Sequence, residues 1–171
     1  MSMRSSSNST SSSSTTRFLS HDGRARGTAA DITGVHTMTA TLEEKNTALV
    51  LDALDTLFNR KDYAKAAQFW SGSYVQHSRH VPAGRDGLFG LVRTLGDLRF
   101  EYDRVIAKDD FVWVHSRYTS SASPAALIGV DILRIEDGKL VEHWDVLQDE
   151  ATRGESAGGH PMFGDTFAGE R

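Results

Sequence analysis

Residues 130–146 read VDILRIEDGKLVEHWDV and set Asp131, His143, Trp144 and Asp145 on two short segments joined at Asp137-Gly138. Aspartate and histidine in one neighbourhood suit proton transfer, since a carboxylate takes a proton and an imidazole holds or donates one. The chain has no Cys, which excludes a thiolate nucleophile, a disulfide scaffold, an iron–sulfur cluster and a thiolate zinc site. Its chemistry therefore falls to His, Asp, Glu, Tyr, Trp and backbone groups. A metal site drawn from His77, His80, His115, His143 and the two aspartates lacks the HExxH or a comparable helical spacing. No cofactor and no metal is expected.

These residues can work together only if one face of a sheet gathers them. In the segment 125–136, Leu127, Gly129, Asp131, Leu133 and Ile135 alternate onto one face, an apolar row with an acid in its middle. In 139–149, Val141, His143, Asp145 and Leu147 share one face and Leu140, Glu142, Trp144 and Val146 the other. A two-residue turn at Asp137-Gly138 pairs Glu136 with Lys139 and sets Asp131 opposite Trp144. A three-residue turn with Gly138 in a bulge pairs Ile135 with Lys139 and sets Asp131 opposite His143, and Asp145 opposite Gly129. A one-residue slip exchanges the faces. The three-residue turn is favoured because it collects the polar groups in one cavity, where burial without partners would otherwise cost a few kcal/mol each. His115 shares a face with Trp113 and Arg117 and joins the cavity if the pleat matches; His77 reaches it through a loop or short strand.

The elements that carry these segments change character along the chain. Thr41-Leu42-Glu43-Glu44 has the reciprocal capping pattern of a helix start, and Val50, Leu54, Leu57 and Phe58 make one apolar stripe on a helix over about 43–59. Asp62 caps a second, short helix, residues 74–77 are extended, and residues 85–95 form a third helix with Leu88, Leu91, Val92 and Leu95 inward. Beyond Gly96 the period becomes two, with strands over about 98–107, 111–120, 125–136 and 139–149. Helices followed by an antiparallel meander define an α+β domain, the helices packed on one face of a curved sheet.

The whole chain has 171 residues, 39% hydrophobic and 25% charged, with a net charge of −4, the make-up of one domain with a tail. That charge argues against nucleic-acid binding, and no apolar stretch approaches the roughly 18 residues of a membrane span. Residues 1–16 hold nine Ser and three Thr, and residues 1–40 as a whole are expected to be a disordered tail. The last 20 residues are Gly-rich and read as loop or tail in which Pro161-Met162-Phe163 can tuck against the domain, so the domain is expected over 41–163, with 164–171 a C-terminal tail. A cytoplasmic location is expected. The Ser-rich, Arg-containing, acid-poor start also has the composition of an organellar transit peptide, but without an amphipathic helix.

The stretch from Val130 to Val146 closely resembles the D-hydrophobic-x-R-x-x-D-G-K-I-x-E-H-W-D signature of SnoaL-like proteins of the nuclear transport factor 2-like superfamily. Tyr74-Val75-Gln76-His77, Val112-Trp113-Val114-His115 and Pro161-Met162-Phe163 resemble the branch described as aldol-condensation enzymes, so the resemblance covers about 43–163. It implies a cone-shaped fold with a long N-terminal helix over a bent sheet, and a homodimer built on that sheet. In polyketide cyclases of the family one pocket aspartate is a general acid/base without metal or cofactor. The matching residue is Asp145, and Asp131 matches a second acidic position of epoxide-hydrolysing relatives. Ser78-Arg79 departs from the Asn-Pro common in the aldol-like branch, on the pocket rim.

The resulting expectation is a small hydrophobic carbonyl substrate, with Asp145, Asp131, His115 and His143 catalytic and His77, Tyr74, Trp144, Leu133 and Gly129 binding. Asp145 removes a proton from carbon, while His115 or His143 stabilises the charge that develops on oxygen. Two other readings stand beside it: a non-catalytic domain that binds a small molecule or a partner, and water activation by the paired aspartates. Asp145 in a structural ion pair with Arg117 or Arg134, or Asp131 merely fixing the tautomer of His143, would favour the plainer reading.

Overall fold

A computed structural model describes residues 39–170; the expected tail over 1–40 lies outside the described residues but for its last two. Helix α1 spans Leu42–Leu54 and runs into one π-helical turn, Asp55–Asn59. Its first turn is closed as the sequence predicts: Glu44 N–H donates to Thr41 Oγ1 at 3.1 Å and Thr41 N–H to Glu44 Oε2 at 2.9 Å. Val50, Leu54, Leu57 and Phe58 are all buried. Helix α2, Tyr63–Ala66, starts at Asp62, whose carboxylate accepts from Lys65 N–H at 3.0 Å. Helix α3 spans Gly84–Thr94 and buries Leu88, Phe89 and Val92.

The strands are β1 (Trp70–Gln76), β2 (Arg99–Lys108), β3 (Phe111–Thr119), β4 (Leu127–Glu136) and β5 (Lys139–Asp149). They form one sheet in the order β1-β5-β4-β3-β2, antiparallel except for β1, which runs parallel to β5 at the edge. The chain is thus α+β. The helices pack on one face through Val50, Leu57, Leu88 and Val92 against Val112, Val114, Leu133 and Leu140.

The turn between β4 and β5 corrects the sequence reading. Asp137 and Gly138, with φ of 49° and 68°, make a two-residue loop with both positions left-handed, so Glu136 pairs with Lys139. That turn alone would send Asp145 to the opposite face from Asp131. Pairing then jumps from Ile135–Leu140 to Arg134–Glu142, leaving Val141 as a bulge on β5. The extra residue shifts the register by one and returns His143, Asp145 and Leu147 to the inner face. Asp131 consequently lies opposite Asp145, not His143; Leu133 lies opposite His143 and Gly129 opposite Leu147.

Phe163 is buried as the sequence suggests, and burial continues into the stretch 164–171, where Phe167 is covered and lies under Arg153 at 4.5 Å. No helix among the described residues is long and apolar enough to cross a membrane.

Candidate active site

Between the inner face of the sheet and α1, the π turn and α3 is a cavity of about 230 Å³. Leu54, Phe58, Leu88, Leu98, Leu127 and Leu133 make its apolar walls, and Tyr74, Gln76, Tyr118, Asp131, His143 and Asp145 bring polar groups to it. β4 and β5 supply the acids and the imidazole, β3 the hydroxyl of Tyr118, and β1 both Tyr74 and Gln76.

Asp131, 3% exposed, is the hub. Its Oδ2 accepts hydrogen bonds from the hydroxyls of Ser116 and, at 2.9 Å, Tyr118. Its Oδ1 lies 3.0 Å from His143 Nε2. The proton inventory of this pair follows from its other neighbour. His143 Nδ1 lies 2.8 Å from Gln76 Oε1, and the same oxygen accepts Ser78 N–H at 3.1 Å, which fixes the amide orientation. Nδ1 therefore carries a hydrogen, and the Nε2–Oδ1 line must hold one more proton. Asp131 and His143 are neutral as a unit, whichever of them holds it. Burial, together with its hydrogen bond to Asp131, pushes the Tyr118 phenol well above its usual range, so it remains a donor.

Asp145 stands directly across from Asp131 on the neighbouring strand. Two unshielded carboxylates there would repel; the imidazole proton and two hydroxyls compensate Asp131 and leave Asp145 the uncompensated one. Among the described residues no hydrogen bond or ion pair engages Asp145. Arg117 pairs instead with Glu150 at 2.7 Å and Glu101 at 3.2 Å, and Arg134 with Glu142 at 2.9 Å and Glu136 at 3.3 Å. The structural ion pair weighed for Asp145 is absent, whereas Asp131 does hold His143.

Of the nine residues singled out in the sequence, Asp131, His143, Asp145, Tyr74 and Leu133 line the cavity. Four do not, and for His115 the reason is that β3 presents Val112, Val114, Ser116 and Tyr118 inward and its odd residues outward. His115, paired with Val130, faces Asp103 at 3.6 Å and the Phe163 ring at 5.4 Å. His77 lies on the outer side with Nε2 2.9 Å from Glu142, its ring stacked at 4.7 Å on Trp144, which occupies an outer apolar groove. Gly129 does not line the cavity either. It lets the sheet pack closely: a Cβ there would fall 2.6 Å from Leu147 Cδ2 and 2.9 Å from Ser116 Oγ. Gly129→Ala is expected to cost about 1–3 kcal/mol in urea unfolding, because Leu147 and the hydroxyl serving Asp131 must both move. An unchanged midpoint would show that the site relaxes freely.

Ser116, Tyr118, Gln76, Trp70 and His80 are site or lining residues that the sequence reading did not select. The signal for Ser116 and Tyr118 was their alternation with Val112 and Val114, legible once the β3–β4 register is known. The donor atoms of Asp131, His143 and Asp145 lie within 4.8 Å of one another, close enough for a cation. Asp131 and His143 already spend those atoms on each other, so a metal would have to break that pair.

Helices laid over an open five-stranded sheet, with an acid-lined hollow between them, define the nuclear transport factor 2-like fold. An NTF2-like protein from Cytophaga hutchinsonii matches with a TM-score of 0.54 at 9% identity, covering 60% of this chain and 89% of that one. A protein of Kribbella flavida provisionally named a ketosteroid isomerase matches with a TM-score of 0.58 at 20% identity, over 73% of this chain and 96% of that one. One of Bacillus cereus provisionally named a polyketide cyclase matches with a TM-score of 0.54 at 16% identity, over 64% and 79%. A search of curated proteins finds no match. The SnoaL-like domain matches residues 50–143, more than half of the sequence, and the chain belongs to that family.

Proposed function

We propose that the protein is a cytoplasmic, cofactor-independent enzyme that moves a proton at carbon in a small hydrophobic carbonyl compound, in an aldol-type cyclisation or an isomerisation. The observation that carries this reading is a single uncompensated carboxylate, Asp145, in an apolar cavity beside a neutral Asp131–His143 unit. Asp145 takes the proton from the carbon next to the carbonyl, and the C–H electron pair moves into the C–C–O system as an enolate. In a cyclisation the enolate carbon attacks a second carbonyl of the same molecule, and Asp145 returns the proton to the new alkoxide. In an isomerisation the proton returns at another carbon. Names of structural neighbours, a cyclase and an isomerase, agree with this class of chemistry. Water activation by paired aspartates is less favoured, because three donors already hold Asp131.

The test is exchange of α-hydrogens for deuterium in a ketone panel (2-tetralone, cyclohexanone, 1,3-diketones) followed by NMR. Exchange by the wild type that disappears in Asp145→Asn supports the reading. Ketones that bind without any exchange point to the non-catalytic binding domain instead.

The same reading includes a homodimer on the outer sheet face, where Ile106, Trp113, Val130 and Val146 are exposed. Trp113→Glu, at the rim of the outer groove, is expected to convert dimers to monomers in light scattering while the circular dichroism spectrum keeps its folded form, with a lower melting temperature as the dimer's contribution is lost. A wild-type monomer at the same concentration refutes the dimer.

A further inference from the structure

An enolate oxygen needs a hydrogen-bond donor, and the imidazoles considered for that task are not free to serve. His115 is on the far face, and both nitrogens of His143 are engaged by Gln76 and Asp131. The hydroxyls of Ser116 and Tyr118 are spent on Asp131. Tyr74 remains: it is buried, it lines the cavity, and no hydrogen bond engages its oxygen among the described residues.

Its surroundings orient that hydroxyl. The ring stands edge-on to Trp70, with centroids 6.5 Å apart and planes at 83°. The indole N–H of Trp70 and the amide NH₂ of Gln76 face the phenol oxygen but stop short of hydrogen-bond geometry, and neither nitrogen has another partner. Gln76 cannot turn its NH₂ away, since Ser78 and His143 hold its carbonyl oxygen. With N–H groups against its lone pairs, the phenol's own hydrogen is what it can offer to the cavity. Burial, joined by the charges of Asp131 and Asp145, pushes Tyr74 upward and keeps it a neutral donor.

We propose that Tyr74 donates a hydrogen bond to the carbonyl oxygen of the substrate, strengthened as that oxygen becomes an enolate, with Trp70 and Gln76 as positioning residues. The substrate class is thereby narrowed to apolar compounds whose carbonyl oxygen reaches β1 while the acidic carbon faces Asp145. This assignment rests on the proton-transfer reading, and its failure is separable from the failure of that reading.

The experiment compares 2-tetralone with tetralin, the same skeleton without oxygen, on the wild type and on Tyr74→Phe by calorimetry. Tyr74→Phe is expected to weaken 2-tetralone at least ten-fold and leave tetralin unchanged. The ¹³C resonance of the bound carbonyl, shifted downfield in the wild type, is expected to move back in Tyr74→Phe and part of the way in Gln76→Glu, which keeps an acceptor for Ser78 and His143 but loses the NH₂. Equal weakening of both ligands, no weakening, or no binding of 2-tetralone to the wild type overturns the assignment. Repeating the comparison in Asp145→Asn separates donor from base. Loss of exchange there with unaltered ketone binding in Tyr74→Phe removes the donor and spares the base, whereas exchange that persists in Asp145→Asn removes the base whatever Tyr74 does.

Discussion

Asp145→Asn is expected to lower the rate of α-hydrogen exchange by roughly 10²–10⁴-fold, the usual contribution of a positioned general base. Asparagine matches aspartate in shape, so the cavity walls and the strand pairing remain, but an amide cannot take a proton from carbon. The variant should be as stable as the wild type or slightly more so, because the carboxylate opposite Asp131 is removed from a cross-strand pair of like groups. Circular dichroism and a melting curve serve as the folding control. Full exchange by a folded Asp145→Asn protein would end the assignment of the base. Loss of exchange together with loss of the melting transition would instead show that Asp145 holds the sheet, contrary to its having no hydrogen-bonded partner among the described residues.

Asp131→Ala is expected to have the largest effect on stability, about 3–5 kcal/mol in urea unfolding, the usual cost of removing one partner from a buried pair. The carboxylate is 3% exposed and His143 is 8% exposed, so water cannot replace what is lost. The hydroxyls of Ser116 and Tyr118 and the Nε2 of His143 would all lose their partner at once. Much of that cost is the stranded imidazole, which gives the prediction a sharper form. The double variant with His143→Ala should cost less than the sum of the two single variants by more than 1 kcal/mol, the coupling of groups in one network. Additive values would show that the two side chains do not act as a unit, and the neutral pair that leaves Asp145 uncompensated would go with it.

The elements were legible because their signals are local. A Thr-to-Glu capping pattern, a four-residue apolar stripe and a switch of period from 3.6 to 2 depend on neighbours in the chain, and the structure places α1, α3 and β2–β5 within a few residues of the expected limits. The sequence marks residues 74–77 as extended, but their parallel pairing with β5 is a long-range event without a local mark. That pairing brings Tyr74 and Gln76 to the cavity wall.

The register is the instructive case. Collecting the acids on one face was correct as a demand of burial energetics, yet the route differs: a two-residue left-handed turn plus a bulge at Val141, instead of a three-residue turn. Either combination restores the parity of the pleat, and nothing in the order of residues distinguishes them. The same parity decided β3 the other way, turning His115 outward and Ser116 and Tyr118 inward. Composition and periodicity thus established the α+β class, the strands and the acids at issue. Which imidazole meets which carboxylate, and which hydroxyl stays free for a ligand, depends on strand register and bulges, because a side-chain period of two makes every one-residue shift a change of face.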